Sequence, residues 1–241
     1  MKTHKKEVVM LPQPNDVTCG PTCLHAIYHF YNDSISLNQV IKEVQYLESG
    51  GTLAVLLGLH ALKRGYDVTI NVLDMDIFDP TWFVSEVNLI EKLELQMRYK
   101  KSRKIQQASA AYIDFLRQGG KVISKDISSR FLKECFDRYG PVLSGLSSTY
   151  LYRSSRELTD ENDCCVYDDV RGYPSGHFVV LGGYGSSAKT ILVADPYSKN
   201  PHAKLYYEVR VSRLINAILL GELTYDANLL FIKPRKKIKT T

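Results

Sequence analysis

No apolar run in this 241-residue chain approaches membrane-spanning length, and the N-terminus lacks the basic-then-apolar pattern of a secretory signal. Both absences predict a cytoplasmic protein without a membrane span. Cysteine is scarce and odd in number: five residues do not make a disulfide framework by themselves, and a reducing compartment leaves a thiolate free to react. Cys164 and Cys165 are adjacent, a spacing strained for a bridge between them, and they lack the second Cys/His pair of a structural zinc site. There is no Gly-x-x-x-x-Gly-Lys-Ser/Thr phosphate loop, no internal repeat and no low-complexity stretch. No cofactor and no metal are expected. The formal charge of +5 is modest, and its excess sits at the ends, in His4-Lys5-Lys6 and Arg235-Lys236-Lys237-Ile238-Lys239. Residues 233–241 therefore read as a basic tail. Apart from Lys100-Lys101-Ser102-Arg103-Lys104 there is no basic stretch of the kind a nucleic-acid face requires, so nucleic acid is not an expected partner.

What is present begins with Gln13-Pro14-Asn15-Asp16-Val17-Thr18-Cys19-Gly20-Pro21-Thr22-Cys23. Polar turn-formers run up to Cys19. Pro21 suits the first turn of a helix, and Cys23, Ala26, Ile27 and Phe30 recur at helical spacing. Cys19 thus falls at a helix N-terminus, where unpaired N–H groups and the positive end of the macrodipole favour a thiolate and offer donors to an anion. Gln13, six residues upstream, can aim an amide at the same spot. A thiolate with two oxyanion donors is the front half of a cysteine hydrolase. A small buried hydrophobe explains a lone cysteine equally well, so the reading needs a histidine and a partner to orient it. Cys23, on the apolar stripe, reads as core.

Along the chain, Val8-Val9-Met10-Leu11 reads as a short strand stopped by Pro12. Helices are expected over 20–31, after Ser36 (with Gln39 completing a capping box) and over 53–63, capped by Thr52. His25 and His29 share a helix face, half of a metal site at most and more simply a solvated or partly packed face; His60 reads as a packed core histidine. Tyr66 to Val72 alternates as a strand. Residues 79–139 read as a helical insertion of three segments, starting at Pro80, Ser102 and Ser128 or Ser129, with Trp82 in the core. Residues 141–147 read as a buried strand. Residues 148–175 form a long irregular stretch rich in Tyr and Arg, and long loops in compact domains are commonly functional. Tyr150, Tyr152, Tyr173 and Gly176 are the candidate substrate-binding residues from this stretch and its end. Strands follow over 178–184, 190–194, 204–209 and 228–232, with a short helix over 212–220.

His177 opens the first of these strands and Asp195 ends the second. In a hairpin centred on Ser186 they lie directly opposite each other, which lets the carboxylate take the imidazole N–H and orient the ring. A slip of one residue would send them to opposite faces. A structural His–Asp bond at a sheet rim is the plain alternative; with Cys19 present, a triad accounts for all three polar misfits together.

Gln13, Cys19-Gly20 at a helix start, Gly176-His177-Phe178-Val179-Val180-Leu181 and Asp195-Pro196 together resemble the bacteriocin-processing (double-glycine) cysteine peptidase family of the papain-like superfamily. The resemblance implies a single α+β papain-like catalytic domain over 1–241, its N-terminal helical half packed on a C-terminal antiparallel sheet, with 79–139 inserted. It implies Cys19 as nucleophile, His177 as general base and then acid, Asp195 as its orienting partner, and Gln13 with the Cys19 N–H as oxyanion hole. The expected activity is a peptidase or amide hydrolase acting on a peptide or protein through a thioester acyl-enzyme. An acyltransferase or transpeptidase using the same intermediate, and a catalytically idle peptide-binding module, stand as alternatives. The chain lacks the membrane and nucleotide-binding parts of exporter-fused relatives, so specificity for Gly-Gly is not carried over. Oligomeric state is left open.

Overall fold

In the computed structural model, which describes residues 7–235 apart from 48–49, 86, 160–164, 188 and 225–226, the sheet is the organising element. The chain begins with α1 (Cys19–Phe30), α2 (Leu37–Glu43) and α3 (Ala54–Lys63), then β1 (Tyr66–Val72). It continues through α4 (Leu89–Tyr99), α5 (Arg103–Arg117), β2 (Lys121–Ile123), α6 (Ser129–Tyr139), β3 (Val142–Ser147) and α7 (Ser148–Tyr152). A small hairpin of β4 (Glu157–Thr159) and β5 (Cys165–Tyr167) precedes β6 (Gly176–Tyr184), β7 (Thr190–Ala194), β8 (Tyr206–Arg210), α8 (Val211–Leu219) and β9 (Asn228–Pro234). Seven strands pair in the order β2-β1-β9-β3-β6-β7-β8, antiparallel except for the β1–β2 pair.

Alternation along the strands gives the sheet two apolar faces. Phe178, Val180, Leu143, Leu230 and Ile232 pack with Leu24, Ile27, Leu57 and Phe115 on one side. Val179, Leu181, Val193, Leu229 and Phe231 pack with Leu132, Leu151, Leu214 and Ile218 on the other. The α+β class and the largely antiparallel sheet agree with the sequence reading, and helices cover both faces of the sheet.

Other expectations need correction. Residues 8–11 form no strand; Met10 N donates to the Tyr206 hydroxyl (2.6 Å) instead of joining a ladder. Thr52 does not cap α3: its hydroxyl donates to Gln45 O (2.9 Å), and Leu53 takes the cap position. Ser36 caps α2 through Gln39 N, while the Gln39 side chain turns to Glu43, so only half a capping box forms. The insertion is not wholly helical. Its first segment breaks into a single 3-10 turn, Pro80–Phe83, and Asn88 restarts the chain as α4 by accepting from Ile90 N and Glu91 N. It also supplies β2, and Phe115 and Leu132 place it in both cores. Trp82 is half-buried at the edge of the first core. Lys233 and Pro234, read as part of the basic tail, belong to β9; residues 236–241 lie outside the described residues, as do His4-Lys5-Lys6.

Candidate active site

Cys19 is the first residue of α1 and is half-buried. The preceding Thr18 does not cap the helix with its side chain; its hydroxyl donates to Asn15 O (3.0 Å), bracing the Gln13–Thr18 turn. The first-turn N–H groups, which have no intrahelical acceptor, are thus not closed off by the usual side-chain cap. Gly20 lets α1 lie flat on the sheet: a Cβ there would stand 2.7 Å from Thr52 Cγ2 and 3.2 Å from Phe178 Cδ2. One turn on, Cys23 is fully buried and donates its thiol to Phe178 O (3.2 Å). Burial pushes its thiol well up, helped by the nearby Cys19 and Asp195, so Cys23 is a core residue.

His177 and Asp195 do meet, His177 Nε2 donating to Asp195 Oδ1 at 2.9 Å, but not through the simple hairpin. Near the turn, Tyr184 pairs with Ile191 and Gly183 with Leu192; a bulge follows, and then Leu181 pairs with Val193 and Val180 with Ala194. Continued without the bulge, the turn-proximal register would align Asp195 with Val180, on the opposite face from His177. The extra residue, Gly182, moves the alignment to Val179, which shares His177's face. The two side chains therefore touch diagonally, not directly across.

Asp195 is fully buried and its carboxylate accepts four hydrogen bonds. Oδ1 takes His177 Nε2 and Tyr197 N (both 2.9 Å), the latter an Asx-type turn across Asp195-Pro196-Tyr197. Oδ2 takes the hydroxyls of Tyr152 (2.7 Å) and Tyr207 (2.6 Å). Burial opposes ionisation of Asp195, but His177 and the two tyrosines outweigh it and hold the carboxyl below its ordinary range. Burial likewise disfavours the His177 imidazolium. The Asp195 charge and hydrogen bond, with a hydrogen bond to Cys19, overcome this and raise His177 to about 10. With Nε2 committed to Asp195, Nδ1 is the nitrogen left for the thiol. The imidazole and carboxylate are bonded to each other, and the Cys19 side chain is among the groups that hold the His177 proton; a thiol, an imidazole and a carboxylate are groups that nucleophilic attack on a carbonyl can use.

Gln13 reaches the same place through its backbone, Gln13 N donating to Pro196 O (2.8 Å) beside Asp195. Its Nε2 donates one hydrogen to Asn15 O (2.9 Å), and its Oε1 is buried with no hydrogen-bond partner. A cavity of ≈ 170 Å³ opens beside His177, walled by Gln13, Asp16, Tyr152, Gly176 and Tyr197 and by Ser148, Glu157, Tyr167 and Ser175 of the 148–175 stretch. Among the candidate binding residues, Tyr152 and Gly176 line this cavity. Tyr150 does not: it lies under Arg213, its ring 4.8 Å from the guanidinium. Tyr173 also lies off the cavity, largely exposed and paired by its backbone to Glu157. Tyr207 escaped the sequence reading, because only the β7–β8 pairing brings it beside Asp195.

The remaining polar candidates lie elsewhere. His60 is buried, bonded to Tyr28 (2.7 Å) and Glu43 (3.1 Å), as a packed core histidine. The His25 and His29 rings are 6.5 Å apart, and among the described residues no group of three or more His, Cys, Asp or Glu is placed to hold a metal. Cys164 lies outside the described residues; the backbone of Cys165 starts β5. No helix among the described residues is long and apolar enough to cross a membrane.

These elements define a papain-like α+β domain with a cysteine, histidine and aspartate at one end of its sheet. The chain belongs to the Peptidase_C39 like family, whose profile it matches over residues 5–213. A protein from Bacillus anthracis described as a C39-like peptidase superposes with a TM-score of 0.50 at 12% identity, over 95% of this chain and 96% of that one. The peptidase domain of Streptococcus ComA, a bifunctional ABC transporter, gives 0.44 at 15% identity (96% and 100%). A double glycine motif protease from an AMS/PCAT transporter, in complex with its leader peptide, gives 0.44 at 13% (98% and 97%). No curated protein matches significantly.

Proposed function

We propose that this protein is a cysteine peptidase or amide hydrolase that cleaves a peptide substrate through a thioester on Cys19. The observation that carries the reading is His177 set between the Cys19 thiol and a buried, four-fold hydrogen-bonded Asp195. His177 takes the thiol proton, the thiolate adds to the carbonyl, and the Cys19 N–H with the second hydrogen of Gln13 Nε2 receives the oxyanion. His177 then protonates the leaving amine, and water, deprotonated by the imidazole, releases the acid. Asp195 keeps the imidazolium stable and the ring oriented throughout. The substrate is a peptide: a relative of this fold has been seen with a leader peptide, and the cavity beside His177 offers hydroxyls and carboxylates to a polar chain. Ser148, Tyr152, Glu157, Tyr167 and Ser175 of the 148–175 stretch line this cavity, and no described residue of 79–139 does. The proposal places the protein in the cytoplasm, where its thiol stays reduced.

The test is incubation with a peptide library followed by mass spectrometry, with candidate amine acceptors present and absent. Cleaved acids from the wild type, and none from Cys19→Ala or His177→Ala, support hydrolysis. Amine adducts in place of acids would make the protein an acyltransferase. Unchanged cleavage in Cys19→Ala would end the reading.

A further inference from the structure

We propose that α7 is a brace for the catalytic pair, and that Tyr152 at its end and Tyr207 on β8 are positioning residues for Asp195. The inference rests on the peptidase reading and adds to it how the carboxylate is held.

The brace is bonded at both ends. At its start, Ser148 N and Oγ both donate to Ser175 O (2.9 Å each), two residues before His177. Ser175 N returns a bond to Thr149 Oγ1 (3.0 Å). At its end, the Tyr152 hydroxyl donates to Asp195 Oδ2. Between them, Arg213 Nη1 donates to Tyr150 O (2.7 Å) and fixes the helix to α8. One five-residue helix thus connects the base of the His177 strand to the far oxygen of Asp195.

Asp195 needs this. The diagonal contact to His177 secures only Oδ1, and a fully buried carboxylate has no water to satisfy Oδ2. Two hydroxyl donors stop the carboxylate from rotating and keep it charged. Burial beside Asp195 pushes both phenols up, so they stay protonated donors through the working range. Tyr152 has a second contact that Tyr207 lacks: its ring lines the cavity, so it joins the substrate wall to the catalytic carboxylate.

The experiment measures alkylation of Cys19 by iodoacetamide against pH in the wild type, Tyr152→Phe, Tyr207→Phe, the double variant and His177→Ala. Each Phe variant keeps the ring and removes one hydroxyl. Each is expected to slow alkylation at mildly acidic pH by about tenfold and to move the acid limb of the profile upward; the double variant is slower than either. Thermal midpoints are recorded alongside, since a merely structural role would lower them without moving the profile. For a variant that folds poorly, the imidazole signals of His177 in a Cys19→Ser background give a second readout, and the brace predicts that its proton leaves at lower pH. Wild-type profiles in both single variants, with alkylation lost in His177→Ala, would overturn the brace and leave the peptidase reading standing. Wild-type alkylation in His177→Ala would overturn both.

Discussion

Replacing Asp195 with asparagine isolates the charge on which His177 depends. The side chains are isosteric. Asparagine Oδ1 can still accept from His177 Nε2 and Tyr197 N, and its amide can donate to the tyrosine oxygens once their hydroxyls turn, so packing is retained. What is lost is a unit negative charge. His177 stands at about 10 against an ordinary value of 6.5, roughly 5 kcal/mol in favour of the imidazolium at 1.36 kcal/mol per pH unit. Two unit charges about 4 Å apart at an effective dielectric of 20 interact by about 4 kcal/mol, so the aspartate charge supplies most of it. Because the folded value is raised, the stabilisation is complete below the ordinary imidazole range and is lost as pH rises through about 10. Asp195→Asn in a Cys19→Ser background should therefore release the His177 proton about three pH units earlier than its parent. Long-range proton–nitrogen NMR of labelled histidine, between about pH 5 and 11, follows the titration directly. A variant that titrates with its parent would refute the reasoning, because Asp195 would then not hold the imidazolium.

Deleting Gly182, the extra residue, should close the bulge into a regular ladder with Leu181 still opposite Val193 and Asp195 still level with Val179, on His177's face; Cys19 alkylation at the wild-type rate is the expected result, and its loss in a protein with a retained near-UV spectrum would show that the bulged shape itself holds the pair. Gly20→Ala drives a methyl into Thr52 and Phe178 and should cost about 1–3 kcal/mol, read as a shift in the urea midpoint. Asp74 is raised to about 6 chiefly by burial, against two backbone N–H donors. Its charge opposes folding once pH passes the ordinary carboxylate range, fully so above about 6. Asp74→Asn should thus stabilise the fold by up to about 3 kcal/mol at pH 7, with the gain vanishing near pH 3.

The sequence by itself determined the local pieces. Helical spacing and Pro21 placed Cys19 at a helix start, alternation marked β1, and apolar segments between turn-formers marked β3 and β6 to β9, all signals carried by neighbours in the chain. It also set Gln13, Cys19, His177 and Asp195 in an order that resembles a known family. The tertiary structure decided everything that depends on register and on distant pairing. The bulge at Gly182 is invisible to a turn-centred hairpin, since any glycine pair near a turn can be pleated or bulged, yet it sets the face on which Asp195 lies. Tyr207 reaches Asp195 only through β7–β8 pairing, and Tyr152 only because Ser148 and Ser175 close the 148–175 stretch back on itself. Tyr150 and Tyr152, two residues apart on α7, look alike in sequence; one lies under Arg213 and the other holds the carboxylate, because a five-residue helix turns them to different neighbours. Local chemistry could single out Cys19, His177 and Asp195 as candidates, but only long-range packing could say which groups surround the aspartate and hold it in place.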